Sequence, residues 1–475
     1  MLNRIILAVM IAWLALVPDR THAAREERRP NLILILCDDL GYADIRVQGA
    51  RHATPVVDRM AAEGIRFTSF YTAGNVCTPT RASIMTGCYP RRVGLHENET
   101  RNWVLFPGNK RGINADEITL PELLKTRGYS TAIVGKWHLG DQPQFLPTRH
   151  GFDEYFGIPY SNDMGRTERE KSNNPPLPLL RNERIIENEP DQRQLTRRLT
   201  EFAVDFIGQN RNQPFFLYFA HPMPHWPQFS SENFAGKSGN GQFGDSVTEI
   251  DWSTGQILRA LKELDLDDNT LVVFMSDNGG PVSQGANNMP LRGAKGTTWE
   301  GGHRVPFVAR WPGKIPAGTI TTEVGISFDL YTTFARLAGA ELPTDRVIDG
   351  RDITPLLMGR PDAKSPHEAF FYYHVATLAA VRSGPWKLVL EHQIAPQGRP
   401  DQKTAVKAQL YNLDSDMRES NDLIADHPDV VARLTLLAQR CRADLGDGTQ
   451  AGKNVRPATE VQNATTLLPR VKPAQ

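Results

Sequence analysis

Apolar residues gather in short blocks at Asn31 to Cys37, Gly64 to Phe70, Tyr129 to Val134, Pro214 to Ala220, Thr270 to Met275 and Val305 to Trp311. Each block has the length and the β-rich content of a strand. Between blocks the period changes. Leu195, Leu199, Phe202 and Phe206 recur at i, i+4, i+7 and i+11, and Val247, Ile250, Thr254, Ile257, Leu261 and Leu264 mark a second stripe. Both stripes have the spacing of helix packing faces. Strands alternating with helices predict an α/β fold. From about Glu368 the pattern becomes Phe370 to His374, Leu378 to Arg382 and Trp386 to Leu390, with the turn Ser383-Gly384-Pro385 before the last. This predicts a small antiparallel sheet, followed by a helix near Pro428 to Cys441. The polar, Pro- and Asn-rich stretch from Ser161 to Gln194 reads as an insertion, by default a surface loop and otherwise a shaper of substrate access. Few large apolar residues follow Gly446, so a loose tail is expected there. The resulting division is 24–365 for the main domain, 366–445 for a C-terminal subdomain and 446–475 for a flexible tail.

The N-terminus is a separate case. Met1, Asn3 and Arg4 precede the apolar run Ile5 to Val17, and Thr21-His22-Ala23 supplies a cleavage site, so 1–23 reads as a signal peptide. The run is shorter than the roughly 20 residues that span a bilayer. No other long apolar run exists, and no stable membrane anchor is expected. Export implies a periplasmic or secreted protein in a bacterium and a lysosomal or extracellular one in a eukaryote. Across 475 residues, 54 Lys+Arg balance 54 Asp+Glu. That balance argues against a nucleic-acid partner held by bulk electrostatics. Cys37, Cys77, Cys88 and Cys441 are too few and scattered for a disulfide framework and lack paired zinc spacing. One or two bridges are the upper bound.

Candidate chemistry concentrates just after the strands, where ligands bind in open α/β sheets. The first block runs into Asp38-Asp39-Leu40-Gly41, and the block at Leu271 runs into Ser276-Asp277-Asn278-Gly279-Gly280. Hard oxygen donors at two strand ends suit Ca²⁺ or Mg²⁺, with ordinary turn chemistry as the plain alternative. After Ile133-Val134 comes Gly135-Lys136-Trp137-His138-Leu139-Gly140; a continuing strand would put Lys136 and His138 on one face. His221 and His225 sit in a Pro-rich segment after Ala220, and the Gly-rich basic stretch from Leu291 to Pro306 would hold an oxyanion without fitting a Walker loop. In Val76-Cys77-Thr78-Pro79-Thr80-Arg81, Pro79 suits the first turn of a helix. Cys77 then lies near a helix N-terminus, which favours anionic oxygen, and Arg81 shares its face.

Cys77-Thr78-Pro79-Thr80-Arg81, with Thr86-Gly87 downstream, resembles the Cys-x-Pro-x-Arg signature of the sulfatases. Asp38-Asp39-Leu40-Gly41, Gly135 to Gly140, His225-Trp226-Pro227-Gln228-Phe229, Asp277-Asn278-Gly279 and Lys295 with Trp299-Glu300-Gly301-Gly302 match in chain order, so the likeness covers most of residues 30 to 420. The stretch Gly87 to Gly94 and the His225 loop look most like the arylsulfatase A and N-acetylgalactosamine-6-sulfatase branch. The resemblance implies an alkaline-phosphatase-like fold with a large mixed, mostly parallel sheet, and arylsulfatase-type hydrolysis of sulfate monoesters. It also implies Cys77 oxidised to formylglycine by a formylglycine-generating or equivalent maturation enzyme. Asp38, Asp39, Asp277 and Asn278 would be Ca²⁺ ligands, with an oxygen of residue 77 close by. Arg81, Lys136 and Lys295 would face the modified residue and the sulfate oxygens. His225 would be the general acid, and His138 would deprotonate the aldehyde hydrate. One hydroxyl of that hydrate attacks sulfur; loss of the second proton then expels sulfate, an exit that a sulfated serine lacks. A sulfated carbohydrate is the implied substrate.

Alternatives are phosphate or phosphonate ester hydrolysis on the same fold, a thiol enzyme using unmodified Cys77, and an inactive glycan-binding protein. His221 matches no family role and is expected to order its loop, Arg304 to form a salt bridge, and Cys37 to be a buried thiol. Trp103, Trp226 and Trp299 would stack on a ring or pack.

Overall fold

The computed structural model describes residues 29–165, 174–394 and 402–470, so the expected signal peptide lies outside the described residues. Among the described residues the centre is an eleven-stranded sheet. From one edge it runs Thr319–Thr321, Ile65–Tyr71, Arg304–Arg310, Thr270–Ser276, Asn31–Cys37, Phe215–Ala220, Ser130–Lys136, Glu154–Ile158, Pro178–Arg181 and Arg184–Asn188. Gly325–Ile326 pairs beside Ile65–Tyr71. The middle is parallel: Asn31–Cys37 lies between Thr270–Ser276 and Phe215–Ala220, and the latter pairs with Ser130–Lys136. Arg304–Arg310 runs antiparallel to both its neighbours, which makes the sheet mixed. This is the α/β architecture expected from the sequence, and all six apolar blocks are strands of it.

Asn31–Cys37 is buried at every position because both faces are covered. The period of two sends Leu32, Leu34 and Leu36 into a core with helices Cys77–Thr86 and Asp329–Ala338. Ile33, Ile35 and Cys37 enter the opposite core, closed by helices Leu195–Gln209 and Gly241–Glu263. The C-terminal part is a four-stranded antiparallel sheet, Phe370–His374, Thr377–Ser383, Trp386–Val389 and Gln409–Asn412. Helix Pro428–Leu445 packs Leu434, Leu437 and Cys441 into its core.

Two expectations are corrected. The stretch read as a surface insertion supplies Pro178–Arg181 and Arg184–Asn188, which extend the main sheet with Leu177, Leu179 and Leu180 buried. Polar neighbours dilute its apolar pattern, and Pro178 stands at the first position of its strand, where a missing N–H is tolerated. The segment after Gly446 is held against the body through Arg470: Thr459–Glu460 pairs with Arg111–Gly112, and Arg456 lies 2.6 Å from Glu117. Polar contacts, with Ala458 and Leu467 packed on the main core, hold it, and so few apolar residues leave a weak hydrophobic signature. All four cysteines are buried and free, Cys37 as expected. No helix of the described residues is long and apolar enough to cross a membrane.

Candidate active site

The carboxyl ends of the parallel strands converge on one cluster. Cys37 and Ser276 are register partners, so Asp38 and Asp277 leave adjacent strands side by side. Asp39 N–H donates to Asp277 Oδ1 at 3.1 Å, and Asn278 Nδ2 donates to Asp39 Oδ1 at 2.7 Å. Helix Cys77–Thr86 begins at Cys77, whose Sγ lies 3.3 Å from Asp38 Oδ1. Lys136 closes its strand and places Nζ 2.5 Å from Asp38 Oδ2. Lys295 Nζ lies 2.8 Å from Asp39 Oδ2. Arg81 donates twice to Asp277 Oδ2, at 2.9 and 3.2 Å, and once to the Lys136 carbonyl. His225 Nε2 stands 3.5 Å from Asp39 Oδ2.

Glycines let the carrier loops meet. Gly279 N–H donates to Gly302 O, and a Cβ on Gly279 would lie 1.7 Å from Gly301 O. Asn288 joins the same loops, accepting from Gly280 N–H and donating to the Gly280 and Gly293 carbonyls. The pairing of Asp-Asn-Gly-Gly with Glu-Gly-Gly is therefore a packing requirement. Lys295 and His225 are the partly exposed members, with side chains 21% and 11% accessible, while Asp38, Arg81 and Lys136 are fully buried. The cluster is open to solvent on the Lys295 and His225 side.

Three carboxylates face three cations. Burial would raise Asp38, but Lys136, with His225, Arg81 and Lys295, holds it well below the usual carboxylate range. Burial and the charge of Asp38 push Asp277 up to about 7 despite Arg81. Burial and Asp38 raise the Cys77 thiol well above its ordinary value. A nucleophilic cysteine needs the opposite shift, so the cluster disfavours an unmodified thiolate at this position. Burial, then Lys136, keeps His138 neutral; its Nε2 lies 2.9 Å from Leu105 O, and Nδ1 has no hydrogen-bond partner. Donation from Nε2 leaves Nδ1 as the basic atom.

Ligand atoms of Asp38, Asp39, Cys77 and His225 lie within 4.8 Å of one another, a possible metal group. The donors suit a hard cation: carboxylates dominate, and the buried Asn278 Oδ1 has no partner. Asp277, raised by burial and by the charge of Asp38, borders the same group through Asp39.

The structure thus brings together Asp38, Asp39, Cys77, Arg81, Lys136, His225, Asp277, Asn278 and Lys295. His138 meets the start of the Cys77 helix through its carbonyl, which accepts from Thr78 Oγ1. The strand stops at Lys136, and His138 takes a left-handed φ of 67°, so the two do not share a strand face. Ser161 was missed. Its Oγ lies 3.2 Å from Lys136 Nζ and 3.4 Å from the His225 ring. It follows the strand Glu154–Ile158, whose short, mixed sequence hides that another parallel strand ends at this edge.

His221 orders no loop through its side chain: both ring nitrogens lack partners, and the ring lies on Phe219 at 4.1 Å. Arg304 pairs with Glu300 at 3.5 Å, as expected. Trp103 abuts Gly296, and Trp299 is covered by the Arg292 guanidinium at 3.5 Å. Trp226 is 39% exposed beside His225.

The Sulfatase family matches residues 30–340, and the family described as the C-terminal region of aryl-sulfatase matches residues 365–466. Among curated relatives, arylsulfatase A of Bos taurus is 43% identical, covering 75% of this chain and 74% of its own. N-acetylgalactosamine-6-sulfatase of Canis lupus familiaris is 42% identical over 77% of this chain and 72% of its own. Among solved structures, Ps i-CgsB in complex with k-i-k-neocarrahexaose superposes with a TM-score of 0.74 at 32% identity, covering 87% of this chain and 92% of that one.

Proposed function

The chain belongs to the sulfatase family and is a sulfuric ester hydrolase, and from that premise we propose that it cleaves a sulfate monoester of a carbohydrate with formylglycine at residue 77 and Ca²⁺. The observation that carries this reading is the setting of Cys77: at a helix start, against Asp38, with its thiol pushed up, among Arg81, Lys136 and Lys295. Formylglycine hydrate supplies a nucleophilic hydroxyl there, and Ca²⁺, held by Asp38, Asp39, Asp277 and Asn278, supplies positive charge beside it.

The remaining work falls to the chain's own side chains. Lys295, at the opening, and Lys136, inside, face the sulfate oxygens and offset the charge that grows as the ester bond breaks. Arg81 fixes Asp277 and the Lys136 carbonyl, so the cations hold their geometry before substrate arrives. Ser161 bridges Lys136 and His225. Burial and Lys295 lower His225. An arriving sulfate adds negative charge beside Lys295 and draws the imidazole back toward protonation, ready for the leaving alcohol. His138, held neutral with Nδ1 unpartnered, would take a proton from the modified residue 77. The neocarrahexaose bound to Ps i-CgsB and the N-acetylgalactosamine-6-sulfatase relatives support a sugar as natural substrate. The N-terminal segment supports export, and a formylglycine-generating enzyme is the required maturation partner.

Matched aryl esters test the reaction class and the acid together. The wild-type chain is expected to hydrolyse aryl sulfates faster than the matching aryl phosphates. His225→Ala should cost roughly 10²–10⁴-fold for poor leaving groups and much less for 4-nitrophenol. Equal losses across the series would remove His225 as the acid, and faster phosphate turnover would favour a phosphate or phosphonate esterase.

A further inference from the structure

Two adjoining clefts, of about 820 and 690 Å³, share Glu97, Arg101, Thr377 and Lys403 in their walls. Trp103 and Val375 line the second cleft and also a recess reaching Val76 and Pro79, which flank Cys77. The Trp103 indole lies against Gly296, next to Lys295; a Cβ on Gly296 would sit 2.4 Å from it. The clefts therefore lead away from the catalytic cluster, with Trp103 as the dividing wall.

The larger cleft carries Arg91, Arg101, Arg111, Lys403 and Arg456 against Glu97 and Glu460, and the second adds Glu391 and Asp447, the latter paired with Arg442 at 2.7 Å. In a chain with equal numbers of positive and negative side chains, this is a local cationic excess. Arg111 is satisfied by Glu460 and Arg456 by Glu117, each at 2.6 Å. Arg91 donates to the Leu445, Gly448 and Gln450 carbonyls and has no carboxylate partner among the described residues. Arg101 and Lys403 are exposed and form no ion pair among the described residues. Both line the clefts, and no catalytic role uses them.

We propose that this double cleft binds a second anionic group of an oligosaccharide substrate, a sulfate or carboxylate on a sugar unit beyond the one being desulfated, with Arg101 and Lys403 as its contacts. The proposal rests on the sulfatase reading of the neighbouring cluster. A guanidinium matches a tetrahedral oxyanion through paired N–H donors, and a lysine adds a mobile point charge. The Trp103 ring offers an apolar face for the sugar between the two anions. A small aryl sulfate occupies only the space at Lys295 and His225 and does not reach the clefts.

Binding is separated from turnover in a Cys77→Ala chain. Calorimetry would compare a carrageenan-type tetrasaccharide sulfated on each disaccharide unit with the same tetrasaccharide sulfated only at its non-reducing end. The fully sulfated compound is expected to bind about tenfold more tightly, with affinity falling as salt rises. Arg101→Asn with Lys403→Gln should erase that advantage; Asn tolerates the left-handed φ of 62° at position 101. In the mature enzyme the same pair should raise KM for the fully sulfated tetrasaccharide about tenfold and leave turnover of 4-nitrophenyl sulfate unchanged. Equal affinity for the two tetrasaccharides, or no loss in the double variant, overturns the cleft. Failure of the mature wild-type chain to hydrolyse any sulfate ester overturns the reading beneath it instead.

Discussion

Cys77→Ala is expected to abolish sulfate ester hydrolysis while leaving the fold intact. Deleting a nucleophile typically costs 10⁴-fold or more in turnover, because the remaining groups only bind and polarise. The stability cost is small by comparison: one sulfur is lost from a site already held by Asp38, Asp277, Arg81 and Lys136, on the order of 1 kcal/mol. Turnover of 4-nitrophenyl sulfate and a thermal melt on the same preparation check both halves. Residual activity within tenfold of wild type would place the nucleophile elsewhere in the cluster. A collapsed melt would mean that Cys77 is structural.

Lys387→Met should destabilise the protein far more than Cys77→Ala. Lys387 comes from the C-terminal sheet and is fully buried, 2.8 Å from Glu419, 3.1 Å from Glu300 and 2.9 Å from the Thr298 carbonyl. Its ammonium also lies 4.0 Å above the Tyr372 ring. Burial would raise Glu300, but Lys387 first, then Arg382 and Arg304, bring it down to about 2. Glu300 also accepts from the Tyr71 and Tyr372 hydroxyls. Removing the ammonium leaves two buried carboxylates short of a cation, which costs about 3–5 kcal/mol. The sign with pH is fixed. Glu300, depressed in the fold, stabilises wild type above its unfolded value, and that stability is lost as pH falls through the folded one. In the variant both carboxylates rise, so its deficit should be large at pH 7 and shrink toward pH 4 as they protonate. Melting temperature against pH for both chains measures this, and a variant that melts with wild type at pH 7 would contradict it. Because Glu300 heads the short turn after Lys295, kcat should fall as well. Glu300→Gln with Glu419→Gln added to Lys387→Met should restore part of both.

The framework of this fold is readable in the sequence because its strands are buried on both faces, and continuous apolar blocks such as Asn31 to Cys37 have few competing interpretations. The site is readable for a related reason: its donors follow those blocks immediately, as Asp38-Asp39 and Asp277-Asn278 do. Ser161 was lost because its strand, Glu154–Ile158, mixes polar and apolar residues near the edge of the parallel set. The Glu300–Lys387–Glu419 network was lost because its members span 119 positions of the chain, and nothing local marks a lysine as buried. The segment after Gly446 misled for the opposite reason: Arg456 and the pairing of Thr459–Glu460 order it with few apolar side chains, Leu467 among them.

The central claim concerns one atom group, and mass spectrometry reads it directly. Trypsin releases Phe67 to Arg81 as one peptide containing Cys77. In protein from its native host, this peptide is expected to carry an aldehyde in place of the thiol at residue 77, to react with hydrazine reagents, and to resist alkylation there. An unmodified, alkylatable Cys77 in active enzyme would contradict the account.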